Sequence, residues 1–369
     1  MRIAVLGKKY PFCGIVTYCR ELIGALRQAG HQVMFCHVHD AADGEECLPA
    51  LLRTPLFVVP RPAALRQLAD KLQLFSPDLV HASFALGPLD WCLPRLCQQL
   101  GIPLVATFHV ALDHRPSFPG QVSALVYQLY GPTLRACQRV IVFSEGQARR
   151  VAELGVPGNR LRVLPHGVDL RRYSPGESHF RRAHPAHLLF TYMGRLDPEK
   201  NVHQLLSAWA GLRRSPDTKL ALVGDGVLAA RLRARWGHLS GVHWLGWIQD
   251  EAARIDILRG SDVFLLPSSI EGLSLALLEA MACGAVPAAT DVGADGEVIS
   301  GVGWTLDPSR LSEGLPQVMQ QAIASPDEIR RRRPLVRQRI EQRYGLSDNM
   351  LRLQRIYHEA LSVNKPLAP

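Results

Sequence analysis

The feature that most restricts the fold is an alternation of short apolar runs with helical stretches, set out in two series around a polar break. "RIAVLG" is an apolar run with β-branched residues, and "IVTYCRELIGALRQAG" follows it with helical spacing and a glycine stop at Gly30. "HQVMFCHV", "PDLVHAS", "IPLVATFHV" and "RVIVFS" continue the first series. "HLLFTYMG", "TKLALVG", "VHWLGWI", "VFLLPSS" and "AVPAAT" form the second, between helices such as "VHQLLSAWAGLRR" and "LSLALLEAMAC". Runs this uniformly apolar suit parallel strands whose crossover helices cover both faces of the sheet. The break, "LPHGVDLRRYSPGESHFRRAHPAH", is rich in Pro, Gly, Arg and His and places a linker near 170–186.

A length of 369 residues fits two domains. The expected fold class is α/β, with two doubly wound Rossmann-like domains facing across a cleft. The N-terminal domain spans 1–172, the C-terminal domain 173–346, and 347–369 is a helix and tail packing back toward the N-terminal domain. Ser347 or Asp348 is the expected N-cap of that last helix. In open sheets of this kind ligands bind beyond the carboxyl ends of the strands, so the loops there are the places to look for chemistry.

Composition narrows the classes further. At 47% hydrophobic and 20% charged residues the chain can bury sizeable cores. No apolar run reaches the ~18–20 residues of a membrane span. "MRIAVLGKKY" reads as a first strand, not as a signal peptide, so the expected location is cytoplasmic, with peripheral attachment to a membrane left open. The eight cysteines include no C-x-x-C, which favours reduced, mostly buried thiols. A formal charge of +9 favours an anionic partner. The dense run Arg330, Arg331, Arg332, Arg333, Arg337, Arg339 and Arg343 reads as a solvated helix face. With no zinc-finger spacing and no aromatic-basic RNA signature, nucleic acid is not an expected partner.

Five places carry candidate chemistry. In "EGLSLALLEAMACG", Glu271 stands at the mouth of a helix expected to begin near Ser274 and stop at Gly284, and Glu279 lies inside it. Free N–H groups at such a helix start suit a phosphate, and two carboxylates accept hydrogen bonds from hydroxyls. A nucleotide sugar joins both chemistries; the plainer reading is an acid on a helix dipole and a solvated Glu. In "YMGRLDPEKNVHQLL", Arg195 and Lys200 share a strand-to-helix loop and together suit a departing diphosphate. No D-x-D occurs, and no metal or other cofactor is expected. Gly14 lies where the first loop meets the first helix, and His109 ends a strand. "ALVGDGVLAARL" carries a G-x-G-x-x-A outline at Gly224, Gly226 and Ala229, but no acid follows at the tip of the next strand before Asp250. His37, His39 and Asp40 hint at a metal site that no nearby ligand set completes.

Taken together, "GRLDPEKN", "LVGDG", "HWLGWI" and "LLPSSIEGLSLALLEAMACGAVPAATDVG", with "GIVTYCRELIGALRQAGHQV", "PDLVHAS", "FHV" and "VLPHGVD" before them, resemble the retaining glycosyltransferases of family 4, which have the GT-B fold. The resemblance implies that Glu271 contacts the transferred sugar and that Glu279 accepts from the ribose hydroxyls. It implies that Arg195 and Lys200 bind the diphosphate and stabilise it as it leaves, and that His109 lies close to the sugar. Gly14 matches the second glycine of the N-terminal loop, and Gly272, Leu273, Ser274 and Leu275 would offer backbone N–H groups. Three positions depart from the pattern: Cys13, Asn201 and Ala294 each stand where a glycine is frequent.

The implied reaction moves a hexose, with a uridine diphosphate sugar as default donor, onto an acceptor hydroxyl with retention of configuration. Double displacement through Glu271 and front-face substitution both remain open; the resemblance favours the second. Acceptor choice falls to the N-terminal half. There Val122, Leu125, Val126 and Leu129 have helical spacing, with Phe118, Tyr127 and Tyr130 as aromatic surface, and "RPAALRQLADKLQLF" is a second basic amphipathic stretch. Resting on an anionic membrane or packing into the core are both open for these. The segment after His109 loosely resembles bacterial glycolipid glycosyltransferases, so the expected acceptor is a membrane glycolipid such as a glycosyldiacylglycerol. A soluble sugar or polysaccharide precursor is the competitor. A nicotinamide-dependent oxidoreductase and a non-catalytic GT-B binding protein are the readings from other classes.

Overall fold

A computed structural model describes residues 1–9, 14–38, 45–53, 58–111 and 118–362, the side chains of Arg53, Val58, Phe118 and Pro119 excepted. Cys13, His39 and Asp40 lie outside the described residues. The chain divides into two compact units, Met1–His166 with Ser347–Pro369, and Gly167–Leu346.

The first unit is built on strands β1 (Arg2–Leu6), β2 (Gln32–His37), β3 (Glu46–Cys47), β6 (Leu79–Phe84), β7 (Leu104–Phe108), β8 (Arg139–Val142) and β9 (Leu161–Val163), with a side hairpin of β4 (Ala50–Arg53) and β5 (Val58–Pro60). Their order is β3-β2-β1-β6-β7-β8-β9, every pair parallel except within the hairpin. Ile3 and Val5 face a layer made by the helix Gly14–Gln28 and the last helix, Leu346–Ser362. Ala4 and Leu6 face the opposite core, which the helices Ala63–Phe75 and Pro88–Leu100 help to fill. Burial on both faces explains why these strands read as unbroken apolar runs. The last helix begins at Leu346, ahead of Ser347.

The second unit holds β10 (Leu188–Met193), β11 (Thr218–Val223), β12 (Val242–Gly246), β13 (Val263–Leu266), β14 (Val286–Thr290) and β15 (Trp304–Leu306) in the order β12-β11-β10-β13-β14-β15. All neighbours are parallel, and the order reverses between β10 and β13, a switch point of the Rossmann type. The stretch 170–186, read as linker, belongs structurally to this unit. It carries the helix His179–Ala183 and buries Tyr173 in the core.

The arginine-rich run occupies the helix Pro326–Arg343, and its plain solvated-face reading needs correction. Arg337 donates to the carbonyls of Tyr173 and Ala282, Arg339 to those of Val298 and Ser300, and Arg332 to that of Gly303. Arg333 joins Asp262 at 2.5 Å. These guanidinium groups cap carbonyls inside their own unit, while Arg330, Arg331 and Arg343 remain exposed.

Candidate active site

The loops after β10 and β13 meet at the switch point of the second unit. Lys200 closes the short 3-10 turn Pro198–Lys200 and its Nζ donates to Glu271 Oε1 at 2.5 Å. The two side chains are only 14% and 12% exposed, so this is a largely buried ion pair. Desolvating two charges is expensive for a fold, and a pair kept this way is a candidate for function. Arg195, in the same loop as Lys200, is half exposed and pairs with Asp197 and with Glu199 at 2.8 Å. Its guanidinium is therefore held by acids of its own loop, not by Glu271 or Glu279.

Glycines make this meeting of loops possible. Gly224 has φ +134°, and a Cβ there would fall 1.8 Å from the Gly194 carbonyl oxygen. A Cβ at Gly226 would fall 2.6 Å from Asp197 Oδ1. The G-x-G outline thus serves to let the β11 loop pack against the loop that carries Arg195. Gly293, at φ +58°, does the same behind Glu271, whose carbonyl oxygen lies 2.0 Å from where a Cβ would stand. Ala294, in place of a glycine, needs no special backbone at φ −97° and donates its N–H to Gly272 O at 2.8 Å. Asn201 sits at φ +51°, the left-handed region that asparagine tolerates better than most residues, and donates to Pro267 O.

The helix Leu275–Ala282 starts as expected: Ser274 is its N-cap and accepts from Leu277 N–H at 3.4 Å. Gly284, at φ +90°, follows its C-cap. One expectation changes. The Ser274 N–H is donated to Asp295 Oδ1 at 2.9 Å, which leaves Gly272, Leu273 and Leu275 as the amides available to a ligand. Glu279 is half-buried in this helix; burial first, then the charges of Glu279 and Glu251, push the Tyr173 phenol upward.

Asp295 was not legible as a site residue. It is fully buried, and its Oδ2 has no hydrogen-bond partner among the described residues. Burial, reinforced by the negative charge of Glu271, pushes its carboxyl well above the ordinary range, against the pull of the Ser274 amide and of Lys200. An acid that opens a short helix gives no sign of this in sequence. Tyr192 is the other silent member: it is buried and its hydroxyl donates to Arg195 O at 2.6 Å, fixing the backbone from which Arg195 springs.

The first unit holds the remaining candidates. Gly14 is exposed at the start of the helix Gly14–Gln28. His109 follows β7, its N–H donating to Phe84 O at 2.9 Å. Its ring lies edge-on between Tyr18, at 4.7 Å, and Phe143, at 5.2 Å. Burial, with His166 and His81 nearby, lowers its pKa to about 3, so the imidazole is neutral near pH 7. Beneath it, the Tyr18 hydroxyl meets Thr107 Oγ1 at 2.9 Å, Thr107 meets His81 Nε2 at 2.8 Å, and His81 Nδ1 meets the Tyr357 hydroxyl. His37 pairs with Glu45 at 3.2 Å, and among the described residues no cluster of three metal-ligating side chains occurs.

The proposed aromatic surface after His109 is corrected for two of its members: Tyr127 and Tyr130 are buried, because they pack on Phe108. Val122, Leu125 and Leu129 are exposed on the helix Phe118–Leu129, while Val126 packs against the core. The stretch 61–75 forms a core-facing helix that buries Ala64, Leu68 and Leu72. No described helix is long and apolar enough to cross a membrane.

Comparison with known proteins bears on the fold and the family. A profile of Glycosyltransferase Family 4 matches residues 12–172, and one of Glycosyl transferases group 1 matches residues 187–325. Glycogen synthase of Mycobacterium tuberculosis is 31% identical over 276 residues, covering 72% of this chain and 64% of that protein. The chain thus spans a little less than two thirds of that relative. The GDP-mannose-dependent alpha-(1-6)-phosphatidylinositol dimannoside mannosyltransferase of the same species is 28% identical over 282 residues, 73% of this chain and 71% of that one. Among solved structures, sucrose-phosphate synthase of Thermosynechococcus elongatus superposes with a TM-score of 0.80 at 21% identity, over 98% of this chain and 99% of the other. Anabaena HepE in complex with UDP-glucose gives 0.77 at 19% identity, over 98% and 100%. Two parallel sheets of this order define a GT-B glycosyltransferase fold. Within that class the chain belongs to the family 4, group 1 glycosyltransferases.

Proposed function

We propose that this chain transfers a hexose, with retention, from a nucleoside diphosphate sugar to a hydroxyl of a membrane glycolipid, uridine diphosphate being the default carrier. The observation that carries the donor half is the Lys200–Glu271 pair at the mouth of the helix Leu275–Ala282. An incoming diphosphate brings at least two negative charges to loops that carry Lys200, Arg195 and the N–H groups at the start of the helix Leu275–Ala282. Lys200 then turns to phosphate oxygen, and Glu271 is released toward the sugar. As the anomeric C–O bond breaks, the electron pair stays on the diphosphate, where Lys200 and Arg195 meet the growing charge. Glu271 supports the positive charge at the anomeric carbon. Glu279 accepts from ribose hydroxyls, and the leaving phosphate oxygen takes the acceptor proton. His109, neutral, serves as a hydrogen-bonding group to sugar or phosphate, not as a fixed cation. No bound metal is needed for these steps.

Two observations support a membrane acceptor. The first unit holds 20 of the Lys and Arg residues against 13 Asp and Glu, so it carries +7 of the total +9. Its helix Phe118–Leu129 shows Val122, Leu125 and Leu129 to solvent at 43%, 57% and 54% exposure. A relative named as a phosphatidylinositol dimannoside mannosyltransferase also supports a lipid acceptor.

The test is a thermal-stabilisation screen of nucleotide sugars, followed by mass analysis of products with lipid extracts. A uridine diphosphate hexose is expected to stabilise the protein and to be consumed, with Lys200→Ala losing turnover by about 10²–10³-fold. Full turnover in Lys200→Ala would overturn the assignment. Product that forms only on water-soluble sugars would remove the lipid acceptor.

A further inference from the structure

A pocket of about 290 Å³ opens within the first unit, where the loops after β1, β2 and β6 converge. Its wall is mainly aliphatic, with Leu48, Leu86, Leu89 and Leu93 among its residues, and Lys8 and Asp90 are polar groups set into it. Apolar concavities with a few placed polar groups are where small molecules bind.

Asp90 is arranged in an unusual way. Its Oδ2 accepts three hydrogen bonds, from Ala85 N–H and Gly87 N–H at 3.0 Å and from the Tyr130 hydroxyl at 2.6 Å. Oδ1 has no hydrogen-bond partner among the described residues. Gly87 keeps that oxygen open: at φ −81° any residue fits the backbone, yet a Cβ would stand 3.0 Å from Asp90 Oδ1. Leu86, beside it, takes φ +66° and is 52% exposed. A leucine in the left-handed region, with its side chain half in water, is strained for no gain in packing. Its N–H is held by the Tyr130 hydroxyl at 2.8 Å, so one knot fixes both the strained leucine and the carboxylate. Strain of this kind clusters at binding sites.

We infer that this pocket binds an amphiphile, a hydroxyl donating to Asp90 Oδ1 and an aliphatic chain lying along Leu48, Leu89 and Leu93. The inference deepens the acceptor reading above and rests on it, since it gives the lipid-linked sugar a place in the first unit. The lining decides against a bare sugar, which asks for many polar partners around its ring. Lys9 and His37 also line the pocket, but both are engaged by Glu45. Burial pushes the Asp90 carboxyl up to about 6, while the Tyr130 hydroxyl, the Gly87 and Ala85 amides and Lys8 pull the other way. The group is thus a charged acceptor above that pH.

Isothermal titration of the full chain with three probes tests this: n-octyl β-D-glucoside below its micelle concentration, n-octyl phosphocholine, which has the tail but no hydroxyl, and D-glucose. Octyl glucoside is expected to bind at least tenfold tighter than octyl phosphocholine, and glucose to give no measurable heat. Asp90→Asn, which keeps an oxygen for the three donors, and Gly87→Ala, which crowds Oδ1, are each expected to weaken octyl glucoside at least tenfold. Uridine diphosphate titrated in parallel should bind all three proteins alike, and circular dichroism confirms their folding. Should Asp90→Asn fail to fold, Gly87→Ala decides. Equal octyl glucoside affinity in wild type and the folded variants overturns the inference, as does glucose binding as tightly as octyl glucoside. Because no sugar is transferred here, octyl glucoside binding without any turnover would sink the proposed reaction and leave the pocket standing; turnover on lipid with no pocket binding would do the reverse.

Discussion

Around Glu271 in the second unit the polar groups are ions held in pairs; around His109 in the first unit they are rings and hydroxyls without charge. Lys200 and Glu271 form a nearly dry ion pair, and Arg195 is braced by Asp197 and Glu199. His109 and His81 are instead buried with pKa values lowered to about 3, flanked by the hydroxyls of Tyr18, Thr107 and Tyr357. Both units rest on the same parallel plan, so the contrast comes from loops, not from the sheets. A diphosphate needs concentrated positive charge; an acceptor alcohol needs hydrogen-bonding partners and an apolar wall. On the proposed function the chain would divide those demands between its two units.

The contrast breaks most visibly at the ion pair. Lys200→Met leaves Glu271 buried with no cation, close to Asp295, which is itself buried. The expected loss of stability is about 3–5 kcal/mol, measured by denaturant unfolding. Lys200→Met with Glu271→Leu removes both charges and is expected to recover most of that loss while donor turnover stays abolished. If the single variant is as stable as wild type, the pair is not the dry contact described, and the proposed donor site loses its foundation.

This difference between the units also governs what the sequence reveals. Glu271, Lys200, Arg195 and Ser274 sit on loops next to strongly patterned strands, so their places can be reckoned from strand ends and helix starts. Asp295 and Asp90 are different: each is one acid at the start of a helix, and only packing from residues far along the chain turns it into a buried carboxyl. Tyr130 is 40 residues from Asp90, and Tyr357 is 276 residues from His81. The short strands β9 and β15 escape notice for a related reason, since three residues at a sheet edge carry little periodicity. Glycines mislead in the opposite sense. Gly224 and Gly226 match a nucleotide-binding outline, yet their missing Cβ atoms are used by a neighbouring loop.

Acid sharpens the comparison. The folded pKa of His81 and His109, about 3, lies below the unfolded value near 6.5, so between those limits the unfolded chain binds more protons. Their contribution to stability is full above pH 6.5 and falls as pH drops, by up to about 1.4 kcal/mol per pH unit for each histidine. Asp90, raised to about 6, has the opposite sign: between about 4 and 6 the folded state binds the extra proton, so stability falls as pH rises. Asp295 shares that direction in the second unit. Two histidines against one partly exposed acid leave a net loss of stability in acid for the first unit. His81→Asn is expected to lower the slope of unfolding free energy between pH 7 and 5 by up to about 1.4 kcal/mol per pH unit, read from urea titrations at each pH. An unchanged slope would mean that His81 already carries a proton in the folded chain.

The smallest effect tests whether the second unit's other cations are structural. Arg337 donates to the Tyr173 carbonyl at 2.9 Å and the Ala282 carbonyl at 2.6 Å, and the second of these closes the end of the helix that Ser274 begins. Arg331 is exposed on the same helix as Arg337 and makes no hydrogen bond among the described residues. Arg337→Gln is expected to cost about 1–3 kcal/mol, because two partly buried carbonyls lose a charged donor. Arg331→Gln should stay within about 0.5 kcal/mol of wild type. If the run instead binds an anionic partner, the ranking reverses in a binding assay: Arg331→Gln would weaken attachment to anionic vesicles, since Arg337 has its donors committed inside the fold. Equal stability of the two variants would return the whole run to the surface.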